Sequence, residues 1–281
     1  MGVSAAVKPE RSAFFGVAGM ATAAWRYRTF ILSSIVRDYR ARFARSKLGL
    51  LWLVVHPLVN AAIFALVLSE MMAAKLPGMA GDKLSYAVYV MSGALGWSLF
   101  AELVGRCTGI FVENGDMLKR LQFPRISLPL IVAGSALVNA LLLYAAIILI
   151  AALLGRPPGL ATLWIPVVML VPLALGLGLG LLLGVFNVFV RDISQVVPVV
   201  LQVGFWTAPI VYVPSILPAT IAPLVERNPM TPVVQAFQSA MLYDLRPDWT
   251  SLAGVTIAAV VLLAVSLFMF RRASPELVDA L

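Results

Sequence analysis

The chain has 281 residues, of which 61% are hydrophobic and 12% charged, with mean hydropathy +0.96 and a net charge of +8. So few polar side chains cannot clothe a soluble domain of this length, so the surplus apolar surface must face lipid or a partner. The basic residues crowd beside apolar stretches and form no groove with interleaved aromatics; topology and anionic lipid account for them, and no nucleic-acid partner is expected.

Residues 1–24 read as a weakly ordered tail. The first twenty lack a compact apolar core, so no cleavable signal peptide is expected. Residues 25–47 hold Arg26, Arg28, Arg37, Arg40, Arg42, Arg45 and Lys47. Leu32, Val36, Tyr39 and Phe43 fall at i, i+4, i+7 and i+11, one helical face, while Arg26, Ser33, Arg37 and Arg40 share another. Such a helix lies in the membrane interface rather than across it. The plainer alternative is a basic flank beside a span.

Six stretches then have the length of about 20 residues that a bilayer requires: 48–72, 86–111, 128–154, 163–190, 196–213 and 252–270. The fifth is the weakest, because Pro198 and Pro209 interrupt it. The first contains His56, the only histidine, just before Pro57. It reads as a polar residue at a kink, facing protein or a polar path. The expected fold is therefore all-α and integral to the membrane, with six transmembrane helices behind an amphipathic interfacial helix.

Orientation follows from the basic residues. With the N-terminus inside, the tail and first helix contribute nine. Lys119, Arg120, Arg125, Arg191, Arg271 and Arg272 bring the inside total to fifteen. Five lie outside: Lys75, Lys83, Arg156, Arg227 and Arg246. Both termini are thus expected in the cytoplasm, with 273–281 as the C-terminal tail. The long segment 214–250 falls outside. Prolines at 214, 218, 223, 229 and 232 cut it into apolar pieces too short to span. These suit re-entrant or interfacial helices, whose backbone is shielded by protein or an aqueous cavity.

The glycine run Gly176, Gly178, Gly180 and Gly184 has no lysine beside it, so it is no phosphate loop. Its Gly-xxx-Gly spacing suits close helix packing instead. Cys107 is the single cysteine, which excludes an internal disulfide; within an apolar stretch it reads as a packing residue. Metal chemistry and hydrolytic chemistry lack the necessary clusters of His, Cys, Asp or Glu. Glu102 and Arg106 stand at i, i+4 inside the second span, as a structural pair or as the lining of a polar path. Between the second and third spans, Asn114 or Asp116 can start a short helix that Pro124 ends. That helix exposes Met117, Leu118 and Leu121 beside Lys119 and Arg120. It suits a groove on a soluble partner or, alternatively, the lipid headgroups.

Several pieces occur in order: Arg42-Phe43, Leu48-Gly49-Leu50-Leu51-Trp52 with Pro57-Leu58, Phe123-Pro124-Arg125, Val190-Arg191-Asp192-Ile193 and Asn228-Pro229-Met230-Thr231-Pro232. With the topology, they make the chain resemble the ABC-2 type permeases that export polysaccharides: lipid-linked O-antigen, capsule or teichoic acid. Valine at 190, where that family more often has phenylalanine, is a departure. The resemblance covers about residues 37 to 240. It implies that residues 48–272 form an ABC-2 transmembrane domain in a homodimer. It further implies two copies of a separate ABC ATPase subunit, which binds ATP and magnesium, while this chain binds no cofactor or metal and is not an enzyme.

The resemblance also implies that the ATPases push on the interfacial helix and the loop after the second span. Arg37, Arg40, Asp116, Met117, Leu118, Leu121 and Phe123 are the candidate coupling residues. Re-entrant helices are implied between the fifth and sixth spans, and the bacterial inner membrane is the expected location. Sugars stack on aromatic rings, so Phe64, Tyr86, Tyr89, Trp97, Trp206 and Tyr212, with Glu102 and Arg106, are candidates for the path. Aromatic residues also belt membrane interfaces, which is the competing reading for the tyrosines. Two other functions remain open: an ABC-2 exporter of a smaller amphipathic compound or lipid, and an intramembrane transferase, for which no convincing polar cluster is present.

Overall fold

In the computed structural model the described residues are 25–43, 49, 51, 52, 55, 59, 63, 67, 76, 77, 82–120, 125–153, 155 and 157–273. The expected tail 1–24, most of the first span 48–72 with His56, and segments 121–124 and 274–281 lie outside them. Among the described residues every regular element is helical: α1 Arg28–Phe43, α2 Lys83–Glu113, α3 Gly115–Arg120, α4 Ser127–Leu153, α5 Ile165–Val168, α6 Leu170–Phe189, α7 Ile193–Thr207, α8 Ala222–Arg227, α9 Met230–Leu242 and α10 Trp249–Ala273. Helices satisfy their own backbone in lipid, which is why apolar sequence of this length folds this way.

Four helical runs are long and apolar enough to cross a membrane: α2, α4, α10 and Leu160–Phe189, in which a 3-10 turn and α5 lead into α6. They match the second, third, fourth and sixth expected spans to within a few residues. The protein is a multi-pass membrane protein. Helix α2 is the central post, packed by α4, α6, α7 and α9, while α10 packs on the other side of α6. Asp82 starts α2 by accepting hydrogen bonds from the Leu84 amide (3.0 Å) and the Ser85 hydroxyl (2.7 Å). At its end Asn114 donates back to the Ile110 carbonyl (2.8 Å). Asn114 therefore closes α2, where the sequence had suggested it could open α3.

The glycine spacing works as a seam. Side chains on Gly176, Gly180 or Gly184 would run into the α2 backbone and side chains at Phe100, Leu103, Val104 and Cys107. Gly178 points the other way, with its Cβ position 2.9 Å from the Leu263 amide nitrogen of α10. Buried Cys107 is a packing residue of this seam.

The fifth stretch differs from the expected span 196–213. Helix α7 has 15 residues, about 22 Å at the helical rise, short of a hydrocarbon core of about 30 Å. It stops at Ala208, which takes extended angles (φ −90°, ψ 139°) because Pro209 follows. The Ala208 amide makes the last helical bond, to the Gly204 carbonyl (3.0 Å); residues 209–213 then leave the helix, yet Ala208, Ile210, Val211 and Val213 are buried. Side chains satisfy the freed carbonyls: the Tyr86 hydroxyl donates to Val211 (2.6 Å), Tyr89 to Tyr212 (3.0 Å), and the Gln238 amide to Pro209 (2.9 Å).

The chain then doubles back. Asn228, just past α8, donates to Thr207 Oγ1 (3.0 Å). Met230 lines the same cavity as Trp97, which stands about 21 Å along α2 from Lys83 at 1.5 Å per residue. From there α9 climbs past Gly96 and Gly93, which make room for Phe237 and Gln238. Asp244 ends the climb by accepting from the Ala161 amide (2.7 Å).

Helix α1 rests on α4, where Ile35 fills the space left by Gly134. Leu32 and Val36 of the expected apolar stripe are exposed, free for lipid. The contact toward the chain is one residue over, through Ile35 and Asp38. Both faces of this helix carry aliphatic residues, so periodicity alone could not say which one meets protein.

Candidate functional site

At about 100° per residue, Trp97, Phe100 and Val104 share one face of α2, and Glu102 with Arg106 lie about half a turn away. The two faces do different things. The first borders an elongated cavity of about 580 Å3 between α2, α6 and α7. Leu179, Leu183, Val196, Val200 and Gly204 complete its walls; Asp192 stands at one end and Asn228 at the other. Trp97 reaches across to α7 at Gly204, where a Cβ would stand 2.6 Å from its ring. Apart from its ends, the cavity offers hydrocarbon and aromatic surface and suits an apolar chain or the flat face of a ring.

The second face is polar. Arg106 Nη2 lies 2.9 Å from Asp38 Oδ2 of α1, and Nη1 lies 3.2 Å from Glu102 Oε1. The Asn139 amide of α4 donates to both Glu102 oxygens, at 2.8 and 2.9 Å. A smaller cavity of about 120 Å3 adjoins Glu102 and Asn139, beside Ser98 and Ala136. It is roomy and polar enough for ordered water.

The path candidates separate on these two faces. Tyr86 and Tyr89 are buried, and their hydroxyls are used on the carbonyls of 208–213. Trp97 is 8% exposed and Trp206 is 50% exposed. They end one aromatic chain, Trp97–Phe205–Trp206, with ring centroids 6.2 and 5.6 Å apart, but lie on opposite sides of α7. The Tyr212 hydroxyl donates to the Trp206 carbonyl (3.2 Å). The five described aromatics therefore gather around the end of α7, away from Glu102 and Arg106. Phe64 lies outside the described residues.

Among the coupling candidates, Arg37 and Arg40 are exposed on α1, and Asp116 is exposed in the first turn of α3. Arg37 also donates to Ser34 Oγ (3.1 Å). Met117 and Leu118 belong to α3, but their side chains, with all of Leu121 and Phe123, lie outside the described residues. Of the Phe-Pro-Arg piece only Arg125 is described, and burial holds its guanidinium below the usual arginine range. The Val190–Ile193 piece is the tight turn between α6 and α7. Buried Asn187 fixes it, donating to the Thr108 carbonyl of α2 (3.1 Å) and accepting from the Ser194 amide (3.0 Å).

The sequence has relatives among known proteins. Residues 29–242 match the ABC-2 type transporter family. The chain belongs to that family. It is 28% identical to the O-antigen export system permease protein RfbA of Myxococcus xanthus, over 88% of this chain and 94% of that one. A protein of the same name from Klebsiella pneumoniae is 24% identical, over 84% and 88%. The polysialic acid transport protein KpsM of Escherichia coli is 22% identical, over 84% and 90%. This ABC-2 permease is thus a transport subunit, whose family implies a separate ABC ATPase, and not an enzyme.

Asp38, Asn139, Asn187 and Gln238 were missed by sequence reasoning. Asn139 and Gln238 carried a usable signal, as amides in apolar helices that need partners. Asp38 is an acid hidden among arginines, and nothing local distinguishes it from a surface residue.

Proposed function

We propose that this chain is the permease subunit of an ATP-driven exporter that carries a lipid-linked polysaccharide, O-antigen or capsule, across the bacterial inner membrane. What carries the reading is the ABC-2 match to most of the chain, together with relatives named for O-antigen export over nearly their whole length. Two copies of the chain form the conduit, and two ATPase subunits bind ATP and magnesium beneath it. Both termini are cytoplasmic; the surplus of inside basic residues supports this. Helix α7 continued by the buried run 208–213, and the stretch 48–72, supply the fifth and first spans, giving six. The return of the chain from Thr207 to Asn228 and back along α9 supports a re-entrant pair in 214–250. The open face of α7, with Val196, Val199, Val203 and Trp206 exposed, suits a second copy.

The ATPases act on α1, through Arg37 and Arg40, and on the α3 loop from Asp116 to Phe123. Leu118→Asp with Leu121→Asp should release the ATPase while the permease stays in the membrane, since apolar anchors dominate such contacts. Co-purification at the wild-type level would refute that docking. The apolar cavity of about 580 Å3 also favours a second reading, export of a smaller amphipathic lipid. Deleting the gene decides between the two. Surface polysaccharide should vanish and lipid-linked polymer should accumulate inside; normal surface polymer with a missing lipid species would favour the second reading.

A further inference from the structure

The charged face of α2 contacts helix α1, which leads the described residues. Helix α1 rests on α4 through Ile35 and Gly134. Asp38 reaches past that contact to Arg106 of α2 at 2.9 Å. Arg106 in turn holds Glu102, and Glu102 is gripped through both oxygens by Asn139 of α4. The side chains of Asp38, Arg106 and Glu102 are 27%, 25% and 22% exposed, so the pairs are largely withdrawn from solvent.

Charges inside a span are costly and seldom retained without a function. Aliphatic residues would pack α1 on α4 equally well. A charged contact differs from a greasy one in being directional: it resists sliding and rotation. We propose that Asp38 and Arg106 are positioning residues of a relay that transmits movement of α1 into α2, so that the opposite face of α2 moves against α7 and changes the width of the large cavity.

Three features fit this role. Arg106 lies about 10 Å before the end of α2 at the helical rise, so α1 and α3 meet α2 near one end. The relay face is about half a turn from Trp97, Phe100 and Val104, so a tilt of α2 moves both faces together. The cavity of about 120 Å3 beside Glu102 and Asn139 leaves room for the carboxylate to shift without unpacking α4.

The inference rests on the exporter reading only in taking α1 to be moved by an ATPase; it does not depend on the cargo. The test uses the full complex with its ATPase in lipid nanodiscs. Spin labels on Leu84→Cys and Gln202→Cys, both exposed, outside the cavity wall and off the face assigned to a second copy, report the α2–α7 distance with and without ATP and vanadate. Native Cys107 is buried and stays unlabelled. In wild type the distance changes on nucleotide trapping. Asp38→Asn should keep ATP hydrolysis within about 2-fold of wild type, yet lose that distance change and at least about 10-fold of transport per ATP. Asp38→Glu should restore both. Adding Arg106→Gln to Asp38→Asn should cause little further loss, because the two residues act as one link.

A normal distance change in Asp38→Asn would overturn the relay. So would loss of ATPase assembly in that variant, which would make Asp38 a docking residue. Absence of the protein from the membrane would make it a folding clasp and would overturn the relay equally. A wild-type complex that changes distance but moves no polysaccharide would sink the cargo reading and leave the relay standing.

Discussion

Helix α2 meets α6 and α7 in opposite ways. Against α6 the contact is backbone on backbone, with glycines at four-residue spacing and nothing left to compress. Against α7 the tightest fit is Trp97 on Gly204, with Phe205 against the same ring and a long cavity beside them. Both contacts are apolar. The difference is in compliance: a close-packed seam transmits displacement rigidly, whereas a contact with space behind it can open. The molecule fixes α2, α6 and α10 as a unit and keeps its freedom for α7. The proposed conduit would use that division, with the seam as frame and α7 as the wall that yields.

The comparison breaks most sharply at the seam. A Cβ on Gly180 would stand 2.8 Å from the Leu103 carbonyl and 3.0 Å from the Val104 Cα, and backbone cannot yield as a side chain can. Gly180→Leu should destabilise the protein by about 3 kcal/mol or more, at the upper end for overpacked cores, and should largely remove it from the membrane. Gly254, whose Cβ position meets nothing within 4 Å, is the control. Gly254→Leu should leave membrane level and thermal midpoint unchanged. Equal tolerance at both glycines would show that the seam is not rigid.

The tryptophans sharpen the same contrast on the α7 side. Trp97→Ala removes a buried ring and should lower stability by about 3 kcal/mol. Trp206→Ala removes an exposed ring and should leave monomer stability within about 0.5 kcal/mol. Export in the Trp206 variant, at unchanged protein level, tests the path or the second-copy contact. Unchanged export in the double variant would assign both rings to packing. Nearby, Gln238→Leu removes the 2.9 Å partner of the Pro209 carbonyl and leaves it the longer bond from the Tyr89 hydroxyl at 3.3 Å. A loss of about 1 kcal/mol, that of one hydrogen bond, is expected, read as a lower thermal midpoint in detergent.

The two sides of α2 were also unequally legible. Gly176, Gly180 and Gly184 could be read as a packing seam because glycine at that spacing has few other uses in a span. The spans could be read because apolar length has one meaning in a bilayer. The cavity could not be read, because Val196 and Val200, which wall it, are the same residue type as Val199, which is exposed outside it. The early end of α7 was half legible: Pro209 was visible, but the buried 208–213 run depends on Tyr86, Tyr89 and Gln238, two of them more than 115 residues away. The Glu102–Arg106 pair followed from i, i+4 spacing, while its links to Asp38 and Asn139 are tertiary and no local pattern encodes them.

The smallest expected effect concerns the start of α10, on the rigid side of the comparison. Helices α2 and α10 begin alike, with Asp82 and Asp248 each followed three residues later by a serine. Asp248 accepts from the Thr250 amide (3.0 Å) and the Ser251 hydroxyl (2.5 Å). The hydrogen bond from Ser251, then that from Thr250, holds its carboxyl below the usual carboxylate range. A carboxyl whose pKa is lower in the folded state stabilises that state fully above its unfolded value. The contribution is lost as pH falls through the folded value. The window therefore lies in acid, from about pH 4 downward. Asp248→Ala should flatten this part of the curve of thermal midpoint against pH and change nothing at neutral pH beyond loss of the cap itself. Asp248→Asn keeps an N-cap acceptor and should flatten the curve while preserving the neutral midpoint better. Because Gly178 locks α10 onto α6 further along, hydrogen exchange should quicken only in the first turn, at Thr250 to Ala253. Faster exchange along the whole of α10 would mean that the cap, and not the glycine seam, holds this helix in the frame.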